Sequence, residues 1–201
     1  MSVREMIEYF EGRLYLPIAI EEVQNLILSK TDIGGFRIIS VDMDTRIGKG
    51  VFKLYSMRPS PYSELVTCCD ILLPKNLHHH EKRMVMCKEL IHLLDPPNFR
   101  INTEEEISEL LSRIILDPLL LPPEQIIEEN KSVIWDRLSS LVPGALLFPI
   151  CARSVLLEQH RNGRLSLDMI ADTVQLPKSL VQIVLSDSWP AIHEKLKELF
   201  D

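Results

Sequence analysis

The chain lacks most of the features that assign a protein to a specialised class. Its four cysteines include no C-x-x-C pair, so we predict reduced, buried thiols. No run approaches the roughly 18 uncharged apolar residues that a membrane-spanning helix needs. The N-terminus is amphipathic and acidic, without the apolar core of a signal peptide, and no repeat or low-complexity segment is present. These absences predict a cytoplasmic protein with no membrane partner.

Positive charge is also scarce. The chain has 22 Lys and Arg against 29 Asp and Glu, for a formal net charge of -7 and a sequence pI near 5.4. This balance argues against a general nucleic-acid or anionic-membrane surface. The length and composition are those of a globular protein: the chain has 201 residues, of which 46% are hydrophobic and 25% charged. A chain of this length and hydrophobic content can bury a hydrophobic core. The sequence therefore predicts a single globular domain over residues 1–201.

The order of sequence patterns predicts an α+β fold, with a small antiparallel sheet and a mostly helical remainder. Three segments rich in β-branched residues follow one another with short turns between them, which favours an antiparallel meander. They span residues 36–42, 51–57 and 65–73. Apolar residues at helical spacing predict helices before and after these strands. The predicted helices span residues 2–11, 18–28, 83–95, 103–117, 124–141, 145–160 and 191–200, with two short ones within 165–186. Pro149 predicts a bend in the helix over 145–160.

The predicted helix from Arg83 to Asp95 is the most informative stretch. It reads R-M-V-M-C-K-E-L-I-H-L-L-D and is apolar on nearly every side, so it belongs in a core. Its spacing nevertheless puts Lys88, Glu89 and His92 on one face. Buried charges are rarely kept without a partner or a purpose. Zinc peptidases carry H-E-x-x-H, with two His ligands and a Glu general base. Here Lys88 stands where the first His would be.

The order of helix, small sheet, E-x-x-H helix and Glu-led helix resembles the ImmA/IrrE family of zinc metallopeptidases. In that family a third zinc ligand, a Glu, opens a helix that reads E-x-x-A-N-x-F-A-A-x-L-L-M-P. When its terminal Pro is aligned with Pro118, the ligand falls on Glu105. The matching positions further along that helix are Ser108, Glu109, Leu111, Ile115 and Leu116. The segment from Leu167 to Leu185 is similar to a piece often found after the peptidase helices.

The resemblance implies a zincin-like core over about residues 15–122, followed by a helical C-terminal part over 123–201. It implies His92 and Glu105 as metal ligands and Glu89 as the catalytic general base of an active enzyme. The partner that it implies is a helix-turn-helix repressor in bacteria, phage or a mobile element.

Lys88 separates two hypotheses about this site. A catalytic zinc needs three protein ligands and an open position, and a protonated Lys has no lone pair to offer. The first hypothesis is therefore a metallopeptidase-like protein without a metal cofactor, in which Lys88 neutralises Glu89 and Glu105 and the cleft binds a protein or peptide. The alternative is an active zinc-dependent endopeptidase that cleaves the repressor, with a further ligand from elsewhere. The His78–His80 run is one source, although such a run is more often a solvated turn.

Residues 165–186 have a helix-turn-helix outline, so DNA binding is a third hypothesis. A reading helix needs cations for the phosphates and polar groups for the bases. The second helix offers only Lys178 as a cation, beside Gln182 and Asp187. From Arg164 to the end, four Lys and Arg stand against six Asp and Glu. The pattern favours a packing unit over a DNA-binding one.

Overall fold

The computed structural model describes residues 1–45, 49–95 and 138–200 of the chain. Elements are numbered here within those ranges. The helices are α1 (Val3–Glu11), α2 (Ile20–Lys30), α3 (His79–Ile91), α4 (Val142–Leu147), α5 (Ile150–Arg161), α6 (Leu167–Val174), α7 (Lys178–Leu185) and α8 (Trp189–Leu199), with a 3₁₀ turn at His92–Leu94. The strands are β1 (Ile33–Val41), β2 (Val51–Met57) and β3 (Val66–Pro74). The predicted α+β class is confirmed.

The sheet is mixed, and the predicted antiparallel meander is wrong. The strand order is β1-β3-β2, with β3 parallel to β1 and antiparallel to β2. Strand β3 is the most apolar of the three and takes the middle position, where both of its edges are paired. Its Cys69, Ile71 and Leu73 are fully buried. Sequential strands are neighbours in only about two-thirds of cases, and here burial of β3 decides the order.

Helix α3 begins earlier and ends earlier than its sequence pattern predicts. It starts at His79, with His78 as the N-cap residue, and ends at Ile91. His79 and His80 therefore lie in its first turn, where the sequence places them in a turn before the helix. The buried face packs against α2 and β3, and its buried side chains include both apolar and charged residues. The core thus takes up two charged groups of α3, Arg83 and Glu89, which are 9% and 5% exposed.

The C-terminal half forms a layer of short helices. The single helix predicted over 145–160 is broken, because Pro149 caps α5 and separates it from α4. The two short helices predicted within 165–186 are confirmed as α6 and α7. Gln175 ends α6 in the left-handed conformation, with φ 54°, and makes the tight turn between them.

The two halves share one hydrophobic core. The buried cluster runs from Val3 in α1 to Phe200 beyond α8. Helix α1 packs against both α4 and α8, and the Arg4 N–H donates to the Phe200 carbonyl at 3.4 Å. The beginning and end of the chain are therefore neighbours, while the division at about residue 122 stays a prediction. Among the described helices, none combines the length and apolarity that crossing a membrane requires.

Candidate functional site

The E-x-x-H residues lie at the C-terminal end of α3, where the backbone changes from α-helix to 3₁₀ helix. Glu89 is in the last α-helical turn, and His92 opens the 3₁₀ turn that follows. The Asp95 N–H donates to the His92 carbonyl at 3.2 Å and closes this turn. A tighter helical turn brings residues three apart almost into line. The side chains of His92 and Asp95 are therefore held next to each other.

Lys88 and Glu89 form a close charge pair at this site. Lys88 Nζ lies 4.0 Å from Glu89 Oε1, and the two side chains are 18% and 6% exposed. The backbone of Gly50, just before β2, lies close to the same carboxylate. A Cβ at Gly50 would lie 3.1 Å from Glu89 Oε1 and 2.5 Å from Val85 Cγ1. The buried carboxylate thus has the Lys88 ammonium group and the backbone before β2 as near neighbours.

His92 is held by protein groups on both ring nitrogens. Its Nδ1 lies 2.5 Å from Asp95 Oδ2, and its Nε2 lies 3.2 Å from Ser139 Oγ. The ring of Phe52, from β2, stacks on the imidazole at a centroid distance of 6.2 Å and an angle of 14°. An imidazole whose Nδ1–H donates to a carboxylate can accept a hydrogen bond from a hydroxyl group at Nε2. The arrangement fixes the orientation of the ring on three sides.

The sequence of bonds from Asp95 through His92 to Ser139 matches that of a nucleophilic Ser-His-Asp triad. A nucleophile must nevertheless meet its substrate, and Ser139 is fully buried, with 0% of its surface exposed. His92 and Asp95 are 8% and 3% exposed. The structure therefore supports a positioning role for this chain of hydrogen bonds, in which Ser139 and Asp95 hold the imidazole in place.

The described residues do not fit a zinc centre. The residue at the place of the first His ligand is Lys88, whose ammonium has no lone pair and repels a cation. The Nε2 nitrogen of His92, which a metal would use if Asp95 holds Nδ1, already faces Ser139. Within residues 1–45, 49–95 and 138–200, no three His, Cys, Asp or Glu side chains are grouped so that they could hold a metal ion. The proposed ligand Glu105 lies outside these ranges.

Of the residues that the sequence singles out, Lys88 and Glu89 form a pair, and His92 follows them in the 3₁₀ turn with partners of its own. The structure adds Asp95 and Ser139, which the sequence analysis missed. The spacing of Asp95, three residues after His92 on a helical pattern, is a signal that could have found it. Ser139 lies 47 residues beyond His92, and no local pattern connects them.

The histidine run contacts the C-terminal layer. His78 and His79 are exposed and His80 is partly buried. His79 Nε2 lies 3.4 Å from Gln175 Oε1, and His80 Nε2 lies 3.8 Å from Asp172 Oδ1. Two of the three rings thus face the last turn of α6 and its C-cap residue, at the opposite end of α3 from His92.

The prediction of buried thiols is confirmed for Cys69 and Cys87 and is wrong for Cys151. Cys69 and Cys87 are fully buried, and burial raises the pKa of each thiol to about 12. Cys68 is half-buried and Cys151 is exposed, and all four are free. Buried thiols with raised pKa values are poor nucleophiles.

Comparisons of the chain with protein-family models, curated proteins and solved structures found no match. The fold and site described above therefore carry the functional argument.

Proposed function

We propose that this chain is a metallopeptidase-like protein without zinc chemistry, which binds an extended segment of a protein partner beside α3. The observation that carries the proposal is the set of contacts that Lys88, Glu89 and His92 make. Lys88 occupies the position of the first His in H-E-x-x-H, and its Nζ lies 4.0 Å from Glu89 Oε1. Both ring nitrogens of His92 face protein side chains. A carboxylate and an imidazole with protein partners of this kind suit a static framework better than an exchanging metal.

The sheet supports the binding part of the proposal. In the described sheet β2 is an outer strand: one of its edges pairs with β3, and the other edge pairs with no described strand. An extended peptide can add a strand to such an edge through main-chain hydrogen bonds, with alternate side chains giving specificity. Val51 and Met57, at the two ends of β2, are each 41% exposed. Gly50 and Phe52 connect this strand to Glu89 and His92.

The partner class comes from the family resemblance alone. It is a helix-turn-helix repressor of a bacterium, phage or mobile element, bound rather than cut. The alternative is an active zinc-dependent endopeptidase that cleaves such a repressor, with Glu89 as its general base and His92 and Glu105 as ligands.

Metal content separates the two candidates. Purified without a His tag and without added zinc, the protein should contain far less than one equivalent by elemental analysis, and its Tm should not change with zinc or chelator. Close to one zinc per chain, lost in His92→Gln, would contradict the proposal and favour the endopeptidase alternative.

A single substitution tests whether the site descends from a metal centre. Lys88→His should supply the missing imidazole beside His92 and Glu105, so that added zinc raises the Tm by mass action. Lys88→Gln is the matched control, because it removes the same charge without adding a ligand. If zinc leaves the Tm of Lys88→His unchanged, the cleft is no longer a metallopeptidase site in any useful sense.

A further inference from the structure

A row of charged side chains crosses the face of the sheet that points away from His92. Phe52 of β2 stacks on His92, so its neighbour Lys53 faces the other side of the sheet, because successive residues of a strand alternate. Asp70 of β3 is the register partner of Lys53 in β2 and of Arg37 in β1. The three side chains therefore lie side by side across all three strands. We call Arg37, Asp70 and Lys53 the charge row.

The charges of this row alternate in sign. Arg37 donates from Nε to Asp70 Oδ1 at 2.7 Å and from Nη2 to Asp70 Oδ2 at 2.6 Å. These hydrogen bonds, and more weakly the charge of Lys53, hold the pKa of the Asp70 carboxyl below its usual value, so it is ionised at pH 7. The row thus reads positive, negative, positive. It has one net positive charge on a chain whose formal net charge is -7.

The two ends of the charge row differ in what they can offer to a further strand. The Arg37 guanidinium lies over the Tyr55 ring of β2, 5.1 Å from its centroid. Arg37 is therefore directed across the sheet and away from the β1 edge. Lys53 is exposed at the other end of the row, on the strand whose outer edge pairs with no described strand. Because both Asp70 oxygens accept from Arg37, the Lys53 ammonium has charge to offer at the β2 edge.

Apolar side chains flank Lys53 on the same face of β2. Val51 and Met57 are each 41% exposed, and Tyr55 is half-buried. A strand that pairs with β2 places one of its side chains beside each of these residues, and opposite charges in facing positions stabilise a pair of strands, whereas like charges repel. An added strand should therefore present an acidic side chain to Lys53 and apolar side chains to its neighbours on this face.

We propose that the segment bound at the β2 edge has the pattern apolar-x-acidic-x-apolar, with its carboxylate beside Lys53 and its apolar side chains beside Val51 and Tyr55. The inference rests on the proposed function, because it defines the chemistry of the extended segment that this edge binds. The bound strand extends the charge row to four alternating charges and brings their sum to zero. Main-chain hydrogen bonds supply affinity for any extended peptide, and the charge row supplies the selectivity.

Three synthetic peptides test this charge rule. They share the acetylated and amidated frame S-V-T-X-T-V-S, in which X is Glu, Gln or Lys. The frame reads the same in both directions, so it suits a parallel or an antiparallel strand. Titration into the ¹⁵N-labelled full chain, followed by amide chemical shifts, gives the Kd of each peptide and the place where it binds. The largest shifts should fall within residues 51–57.

The Glu peptide should bind best and the Lys peptide worst. We expect a difference of about tenfold in Kd between them, the combined effect of one attractive and one repulsive cross-strand pair. The difference should shrink at high salt, because screening weakens the interaction of exposed charges.

Lys53→Glu reverses the charge at the end of the row. It should invert the order of the peptides, so that the Lys peptide binds best. Lys195→Glu is the matched control, because it makes the same change of charge on α8, where Lys195 pairs with Glu198 at 2.7 Å, and it should keep the original order. Far-UV circular dichroism reports whether each variant folds. The peptide series with the unaltered protein needs no substitution, so the proposal remains testable if Lys53→Glu does not fold.

The outcomes separate this inference from the proposed function. Equal affinities of the three peptides at residues 51–57, or an order that Lys53→Glu does not invert, would overturn the charge rule and leave strand addition at β2 intact. The absence of β2 shifts with all three peptides would contradict strand addition itself, and the charge rule with it. If the β2 amides shift with protein concentration alone, a second copy of the chain occupies this edge and the assignment to a partner peptide is wrong.

Discussion

At the scale of single residues, Lys88 and Glu89 are the notable pair. A carboxylate that is only 6% exposed keeps its charge at a high cost in desolvation unless a cation is close. The ammonium of Lys88 lies 4.0 Å away and is itself only 18% exposed. A pair of this kind adds little net stability as a pair, but the loss of one member is expensive.

We therefore expect Lys88→Ala to lower the free energy of unfolding by ~2 kcal/mol or more, because it leaves Glu89 buried without this cation. Urea denaturation measures the change. Lys75→Ala is the control, since Lys75 pairs with Asp42 at 2.9 Å on an exposed surface and should have little effect.

The double variant Lys88→Ala with Glu89→Gln completes the test. Removing the charge of the carboxylate should recover part of the loss. Equal effects of Lys88→Ala in both backgrounds would show that the two side chains are not coupled.

At the scale of elements, the junction of β2 and α3 sets the distance between the sheet and the candidate site. Gly50 lies where the chain enters β2, and its position is too close to α3 for a side chain. A Cβ there would come within 2.5 Å of Val85 Cγ1 and 3.0 Å of Glu89 Cγ. Phe52, two residues further on, stacks on His92. A shift at Gly50 would therefore displace both contacts together.

Gly50→Ala should destabilise the protein by ~1–3 kcal/mol, the usual cost of overpacking a well-filled contact. Gly35→Ala in β1 is the matched control, because a Cβ there would meet no atom within 4 Å. Thermal unfolding of the two variants should differ clearly. A Tm for Gly50→Ala as high as that of Gly35→Ala would mean that α3 and β2 can separate at little cost.

At the scale of the whole molecule, one buried arginine ties three regions together. The guanidinium of Arg83 in α3 donates from Nη2 to the Ile18 carbonyl at 2.8 Å and from Nε to the Gln175 carbonyl at 3.2 Å. Ile18 precedes α2, and Gln175 lies in the turn between α6 and α7. The central helix is thus joined both to the N-terminal helices and to the C-terminal layer.

Arg83→Met should lower the free energy of unfolding by ~2–4 kcal/mol, because it leaves two carbonyls without a charged donor. Arg83→Lys should recover only part of the loss, since an ammonium lacks the planar fork that reaches both acceptors. Arg37→Met is the control, because Arg37 forms a 2.6 Å ion pair with Asp70 on the exposed face of the sheet and its side chain is 63% exposed. Chemical denaturation followed by circular dichroism measures the free energy of unfolding of each variant. Similar losses in Arg83→Met and Arg37→Met would show that Arg83 does not join the three regions.

The sequence by itself predicted the three strands and most of the helices of the described ranges, although their bounds differ. Periods of two and of about 3.6 residues predicted the strands and helices, because these periods follow from backbone geometry that each segment carries locally. The same local geometry placed Lys88, Glu89 and His92 on one face. Pro149 carried a local signal as well, but whether a proline bends or breaks a helix depends on the packing around it.

Only the tertiary structure decided which distant groups meet. Strand β3 took the central position because pairing on both edges buries the most apolar strand, and no local pattern ranks strands in this way. Ser139 reached His92 through the packing of segments far apart in the chain. The pairing of the strands put Arg37, Asp70 and Lys53 in one row. Local periodicity fixes which face of an element is apolar. Which other element covers that face depends on how the apolar faces of all elements are buried together, and this is a property of the whole chain.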